Sequence, residues 1–160
     1  MTEFNFEFDK LLCKIHHNMM KLEEKTLCID KNLNLTVNEL HLLECIKNGT
    51  KGDDGPTISA IAADLDITRP STTVAVNKLT AKKYVEKIGC VNDGRSVRIK
   101  LTSKGEKAYT MYCDYRQEIG AALSDCFKED EKKLLAAALD KINVFYDGKL
   151  SEKEAEEFEF

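Results

Sequence analysis

The sequence lacks the features of a membrane protein and of a disulfide-bonded secreted protein. No apolar run approaches the roughly 18 to 20 residues that a membrane-spanning helix needs, and the first residues are acidic and aromatic, unlike a signal peptide. Six cysteines are present, but no two form a CxxC pair, and several fall on apolar stripes where a free thiol behaves as a small hydrophobe. We therefore expect a cytoplasmic protein with neither a membrane anchor nor a disulfide framework.

Residues suited to catalysis are also scarce. The three histidines are His16, His17 and His41, and neighbouring positions such as the first two point in different directions on a helix. The sequence has no Gly-rich phosphate loop, no nucleophile elbow and no HExxH motif. These absences predict a protein that is not an enzyme and that holds no cofactor or metal ion.

Positive charge, in contrast, is concentrated in one part of an acidic chain. Residues 68–104 contain nine Lys and Arg against only Glu86 and Asp93, a local charge of +7. The rest of the chain holds 15 basic and 26 acidic residues, so the net charge of the whole is −4. A basic block inside an acidic protein is typical of a surface that binds a polyanion.

Long helices are predicted at both ends of the chain. Apolar residues in 7–27 are spaced alternately by four and three positions, as on one buried helix face. Two similar helices follow Thr102, the second over about 129–146, and an acidic tail comes last. The apolar stripes of these helices exceed what one small domain can bury, so we expect a second copy of the chain to cover them.

The middle of the chain carries helix-capping signals. Thr36 and Glu39 have the spacing of a capping box. Thr57 and Thr68 each precede a short apolar pattern, and Pro70 stands in the first turn after Thr68, where its missing amide is harmless. Two short helices joined by a few residues are typical of a helix-turn-helix.

A β-hairpin is predicted directly after the two short helices. Residues 84–90 and 97–101 are rich in β-branched side chains and flank an Asp-Gly turn. The predicted fold is therefore mainly α with a small β-hairpin wing, a winged helix-turn-helix with a helical dimerisation lobe. The expected parts are an N-terminal dimerisation helix (1–34), the winged helix-turn-helix (35–104), C-terminal dimerisation helices (105–147) and the acidic tail (148–160).

Residues 93–105, DGRSVRIKLTSKG, resemble the wing motif of the MarR family of transcription regulators. The fixed Asp, Arg, Leu-Thr and Gly of that motif are matched by Asp93, Arg95, Leu101, Thr102 and Gly105. The resemblance covers about 8–147 and implies a homodimeric regulator that binds double-stranded DNA and acts as a repressor. One departure is Lys83, where the family usually has glycine in a positive-φ conformation. We expect Lys83 to adopt that conformation at a cost of about 1 kcal/mol.

The resemblance also implies which residues contact DNA. Arg95 at the wing tip would enter the minor groove, where A·T tracts concentrate negative potential, and Asp93 would orient its guanidinium. The second short helix would face the major groove with its N-terminal part, although the hydroxyls at 71–73 also suit simple capping and Asp93-Gly94 also suits a plain turn. The predicted DNA-binding residues are Thr57, Ser59, Arg69, Ser71, Thr72, Thr73, Asn77, Lys78, Asp93, Arg95 and Arg98.

Two further segments, LEEKTL (22–27) and LTVNELHLLECI (35–46), resemble the FabT type of fatty-acid-synthesis repressors within this family. That resemblance implies a corepressor, a long acyl chain presented by acyl carrier protein and bound among the dimerisation helices. An acyl chain needs an apolar tunnel, although each of the following residues also suits an ordinary core position. The predicted lining residues are Leu12, Ile15, Met19, Leu43, Met111 and Tyr115.

Three alternatives remain open. FDKLLC (8–13) resembles the start of peroxide-sensing relatives, which use a cysteine at the position of Cys13, but the second helix lacks the tyrosines that activate that thiol. Zinc-sensing relatives would use residues such as Glu24, Cys28 and His41, yet no histidine follows His41 to complete the site. A winged helix used only for protein contacts is the third alternative, and the basic block argues against it.

Overall fold

The computed structural model describes residues 3–27, 33–51, 54–89 and 97–157. These ranges form a mostly helical chain with one antiparallel β-hairpin, which confirms the predicted fold class. No helix in the described ranges is long and apolar enough to cross a membrane. The elements are α1 (Glu3–Leu27), α2 (Val37–Asn48), α3 (Ile58–Asp64), α4 (Arg69–Ala81), β1 (Val85–Gly89), β2 (Val97–Leu101), α5 (Ser103–Ser124) and α6 (Glu129–Glu157).

The predicted helix caps are confirmed. The Thr36 hydroxyl accepts a hydrogen bond from the amide of Glu39, and the Glu39 carboxylate accepts one from the amide of Thr36. Thr57 and Thr68 cap α3 and α4 in the same way. Each cap satisfies an amide that has no partner within its helix, which fixes where the helix begins.

The core of the first part of the chain is built around α2. Leu43 and Ile46 of α2 are completely buried, together with Ile61 of α3 and Ile99 of β2. Since α2 lies between the short helices and the hairpin, these apolar contacts fix the orientation of the elements that carry the candidate site. Other fully or almost fully buried side chains are Leu40, Val76, Leu79, Tyr84, Val85 and Tyr112.

The junction between α4 and the hairpin depends on two backbone features. Lys83 has φ of 64°, which confirms the prediction that a lysine takes the positive-φ position here. Gly105 at the start of α5 lies against the hairpin, and a Cβ at this position would come within 2.1 Å of the Tyr84 carbonyl oxygen. The glycine of the wing motif is therefore required for close backbone approach.

An ion pair joins the end of α4 to the beginning of α2. The Lys82 ammonium lies 2.8 Å from the Glu39 carboxylate and also donates to the carbonyl of Asn34. Burial alone would raise the pKa of Glu39, but the hydrogen bonds from Lys82 and Thr36 and the lysine charge outweigh it and hold that pKa below its ordinary value. Glu39 thus both stabilises the start of α2 and anchors the end of α4 to it.

The last helix is longer than the sequence predicted. We expected it to end near residue 146, followed by a frayed acidic tail from 148, but α6 continues to Glu157. The segment is rich in Lys, Glu and Ala, which favour helix, and Lys149 pairs with Glu152 at 2.6 Å one turn further on. The expected tail is therefore mostly helical.

Candidate nucleic-acid interface

The two short helices form the predicted helix-turn-helix. A tight turn at 65–68 joins them, with Asp66 at φ of 49° and the Ile67 amide donating to the carbonyl of Ala62. Beyond the turn, α4 is held by three completely buried side chains, Thr72, Val76 and Leu79. Since these three share one side of the helix, the opposite side of α4 must face outward.

Four of the eleven residues predicted to contact DNA lie on that outward side. The charged side chains of Arg69 and Lys78 are exposed, and Asn77 is exposed between them in sequence. Ser71 and Thr73 are exposed near the N-terminus of the helix. The structure thus brings Ser71, Thr73, Asn77 and Lys78 to one accessible face, while Arg69 is exposed at the first residue of the helix and points away from Lys78.

The hydroxyls on this face already have intramolecular partners. The Thr73 hydroxyl donates to the Arg69 carbonyl at 2.8 Å, and the hydroxyls of Ser71 and Thr68 lie 2.9 Å apart. A hydroxyl that donates internally keeps lone pairs with which it can accept. Thr73 is therefore suited to accept from the exocyclic amino group of adenine or cytosine.

Thr72 differs from its neighbours, because it belongs to the core. Its side chain has no exposed surface, and its hydroxyl donates to the Thr68 carbonyl at 3.1 Å. A side chain placed in this way cannot reach a base or a phosphate. We therefore correct the predicted interface by removing Thr72 from it.

The start of α3 is less accessible than α4. Thr57 is half-buried, and its hydroxyl accepts from the Ala60 amide at 3.2 Å, so its main role is to cap the helix. Ser59 is half-buried in the first turn of α3. Both residues lie at the beginning of the first helix of the helix-turn-helix.

The wing is attached firmly at its base. In the antiparallel register Val85 pairs with Leu101 and Gly89 with Val97. Arg98 is half-buried and donates from its guanidinium to the Gly55 carbonyl at 3.1 Å, so it ties β2 to the loop before α3. Asp93 and Arg95, predicted at the wing tip, lie outside the described residues.

One residue beside α4 was missed by the sequence prediction. The Lys87 ammonium on β1 donates to the side-chain amide oxygen (Oδ1) of Asn77 on α4 at 2.7 Å. Lys87 is absent from the predicted DNA-binding residues, because a surface lysine is usually solvated rather than bound. Only the pairing of the hairpin with α4 reveals that Lys87 adds a positive charge next to the predicted recognition helix.

The basic block therefore divides into two groups. Lys82 pairs with Glu39, while Lys104 donates to the Lys82 carbonyl and lies 4.0 Å above the Tyr84 ring. These two cations stabilise the fold. Arg69, Lys78 and Lys87 are exposed and remain for an external anion.

Open depressions flank the beginning of α2. One, of about 560 Å³, lies between α2 and α4 and is lined by residues that include Asn38, Leu42, Ser71, Val74 and Lys78. The other, also of about 560 Å³, lies between α1 and α2, where its lining includes Met20. Their openness suits a broad surface rather than an enclosed small-molecule site.

The predicted acyl-binding residues differ widely in burial. Ile15 and Met19 on α1 are 54% and 65% exposed, whereas Leu43 is completely buried in the core of α2. Leu12 and Met111 are half-buried. Tyr115, also half-buried, belongs to a separate compact unit, residues 115–160.

The residues behind the redox and zinc alternatives are dispersed. Cys13 is exposed on α1, and Cys28 lies outside the described residues. His41 lies 3.5 Å from Glu23, not Glu24, and the Tyr112 hydroxyl donates to Glu23 at 2.9 Å. Within the described ranges no three His, Cys, Asp or Glu side chains cluster as metal ligands would.

The buried cysteine of α2, Cys45, is unreactive at neutral pH because its thiol stays protonated. Burial, followed by a hydrogen bond and the negative charge of Asp64, raises the pKa of the Cys45 thiol to about 12. The thiolate is the reactive form of cysteine, so Cys45 is a packing residue.

Comparison with known proteins agrees with this geometry. Residues 33–96 match the MarR family model. The uncharacterized HTH-type transcriptional regulator YpoP of Bacillus subtilis is 23% identical over 143 residues, which cover 89% of this chain and 95% of that protein.

Two solved structures of DNA complexes share the fold. Streptococcus pneumoniae FabT in complex with DNA superposes with a TM-score of 0.82 at 22% identity, covering 89% of this chain and 97% of that one. The S. aureus MepR-DNA complex gives a TM-score of 0.71 at 24% identity, covering 86% and 96%.

Proposed function

We propose that this chain is a MarR-type winged helix-turn-helix transcription regulator that represses genes by binding operator DNA with α4 and the wing. The support is the match of residues 33–96 to the MarR family model and the fold shared with two DNA-bound proteins. The observation that carries the proposal is the exposed polar face of α4, which includes Ser71, Asn77 and Lys78. The buried residues on the other side of α4 hold this face towards solvent before any ligand binds.

The spacing of the two exposed cations on α4 suits the major groove. Arg69 and Lys78 are nine positions apart, which is about 13 Å along a helix axis and two and a half turns around it. They therefore project from opposite sides of the helix. The major groove is about 12 Å wide, so a helix inserted in it brings one cation towards each phosphate backbone.

Removing both cations tests this arrangement. We expect Arg69→Ala combined with Lys78→Ala to weaken binding to a selected operator duplex by about 10-fold or more at moderate salt, because each subunit loses two phosphate contacts. Fluorescence anisotropy would measure the affinity, and circular dichroism would verify folding. Lys133→Ala removes an exposed lysine of α6 and is the matched control. Equal affinities for the double variant and the control would contradict the proposed interface.

We also propose that the active species is a homodimer formed by α1, α5 and α6. On α1, Leu11, Ile15 and Met19 are each more than half exposed, and on α6 Leu134 is 74% exposed. Monomeric soluble proteins rarely expose extended apolar surfaces of this kind. A second copy of the chain would cover them in a symmetric interface.

Sedimentation velocity tests the dimer directly. At micromolar concentration we expect a single species with twice the mass of the chain, because so much apolar surface drives association. Leu11→Lys and Leu134→Lys, introduced separately, should each shift the equilibrium towards monomer. A monomeric wild-type protein under these conditions would refute the proposal.

For the signal that controls this regulator, we propose an acyl chain on acyl carrier protein, with fatty-acid-synthesis genes as the targets. The support is the resemblance of 22–27 and 35–46 to the FabT type of repressor and the apolar side chains on α1. The exposed Ile15 and Met19 are available to an acyl chain in a way that the fully buried Leu43 is not. Leu43 would instead form the floor beneath such a site.

A further inference from the structure

We propose that Val74 is a specificity-determining residue that recognises the methyl group of thymine in the major groove. The inference rests on the proposed DNA-binding function and adds to it a particular base contact. Val74 is an apolar residue of α4, like Val76 and Leu79, but unlike them it is exposed, with 55% of its side chain accessible. An exposed valine inside a polar helix face calls for an explanation.

The position of Val74 follows from helix geometry. Thr72 and Val76, two positions before and after it, are both completely buried. Each residue advances about 100° around a helix of 3.6 residues per turn, so Val74 projects about 160° away from both of them. It is therefore at the centre of the outward face, between Thr73 and Asn77 on one side and Ser71 and Lys78 on the other.

The surroundings of Val74 indicate an anionic partner with local apolar features. The exposed cations Arg69, Lys78 and Lys87 lie on or beside the same helix, and Thr73 offers lone pairs for a base amino group. The two methyl groups of Val74 can make neither kind of polar contact. A β-branched residue is also a poorer helix former than alanine or lysine, so helix stability does not explain the valine.

Thymine supplies the matching chemistry. Among the four bases, only thymine presents a methyl group in the major groove, at C5. Contact between this methyl and the two methyls of Val74 would remove apolar surface from water on both partners. Transfer of one methylene-sized group from water corresponds to about a 4-fold change in affinity, which is enough to distinguish thymine from cytosine or uracil at one position.

The test uses operator duplexes selected by the wild-type protein from a library of random double-stranded DNA. Each thymine of the selected site is then replaced singly by deoxyuridine, which removes only the C5 methyl. For the wild-type protein we expect affinity to fall about 4-fold at one thymine per half-site. For Val74→Ala we expect a clearly smaller loss at that position, because the two γ-methyl groups that contact the thymine methyl are removed.

A matched control variant and the result of the selection distinguish failure of the Val74 assignment from failure of the DNA-binding function. Val97→Ala shortens another exposed valine, on β2, and should retain the wild-type deoxyuridine penalty. Selected duplexes that bind tightly but show no deoxyuridine penalty, or a penalty unchanged in Val74→Ala, would overturn the assignment of Val74 and leave the DNA-binding function standing. Failure to select any duplex would overturn the DNA-binding function, and the role of Val74 with it.

Discussion

Raising the salt concentration from 50 to 200 mM should weaken operator binding by about 10³-fold or more, the largest effect that we expect from any change of conditions. Each subunit presents Arg69, Lys78 and Lys87 as exposed cations, and Arg95 of the wing motif adds a fourth. A dimer would neutralise roughly 6 to 10 phosphates, and each neutralised phosphate releases condensed counterions whose return at high salt opposes binding. Anisotropy titrations at several salt concentrations give the slope of log affinity against log salt.

The double variant Arg69→Ala/Lys78→Ala tests whether these two side chains contribute to the slope of log affinity against log salt. With two cations removed from each subunit, the slope should become shallower by about 3 to 4, since each phosphate contact contributes about 0.9. Lys82→Ala is a useful contrast, because this lysine pairs with Glu39 inside the protein. Its removal should lower stability while leaving the salt slope unchanged. A flat salt response of the wild-type protein would mean that the basic block does not face DNA.

Features set by short-range chemistry could be predicted from the sequence. The capping box of Thr36 and Glu39 and the caps at Thr57 and Thr68 each depend on residues within three positions of one another. The positive φ of Lys83 could be predicted because the family that the sequence resembles usually has a glycine with positive φ at this position. Local geometry leaves few alternatives at such sites.

Features that depend on tertiary packing were harder to predict. The resemblance placed Thr72 among the residues that contact DNA, but the structure buries Thr72 and leaves the apolar Val74 exposed. Threonine can enter a core when its hydroxyl bonds to the carbonyl four residues earlier, as Thr72 does. The spacing of positions 72, 76 and 79 is helical, whereas 74 and 76 cannot share a face. Periodicity, given more weight than polarity, would have identified both residues.

Contacts between distant elements left no signal in the sequence. Lys87 and Asn77 are ten positions apart, and their hydrogen bond exists only because β1 packs beside α4. The same holds for the ion pair of Lys82 with Glu39, 43 positions apart, which exists only because the end of α4 packs against the beginning of α2. The size of the basic block was therefore a reliable guide to the kind of partner, while the residues that contact it had to come from the structure.

Long-chain acyl carrier protein should tighten operator binding by roughly 5- to 150-fold, the range of typical allosteric coupling. A ligand shifts this equilibrium only if it binds the DNA-competent form of the dimer more tightly than the other forms. An acyl chain that packs on α1, beside Ile15 and Met19, would act on the helix that we propose to join the two subunits. The spacing of the two α4 helices, which must match successive major grooves, depends on that interface.

Titration of the operator with protein, with and without acyl carrier protein that carries a long acyl chain, measures the coupling. Met19→Trp should remove the gain and spare basal binding, because the larger side chain fills the proposed acyl site. Leu43→Trp is unsuitable as a test, since Leu43 is completely buried and a larger residue would disrupt the core. Lys10→Trp places the same bulk two and a half turns away, on the opposite side of α1, and should preserve the gain. Coincident titration curves with and without the acylated carrier would refute the proposed corepressor. A shift of the curve that peroxide produces instead, and that Cys13→Ser abolishes, would establish the redox alternative.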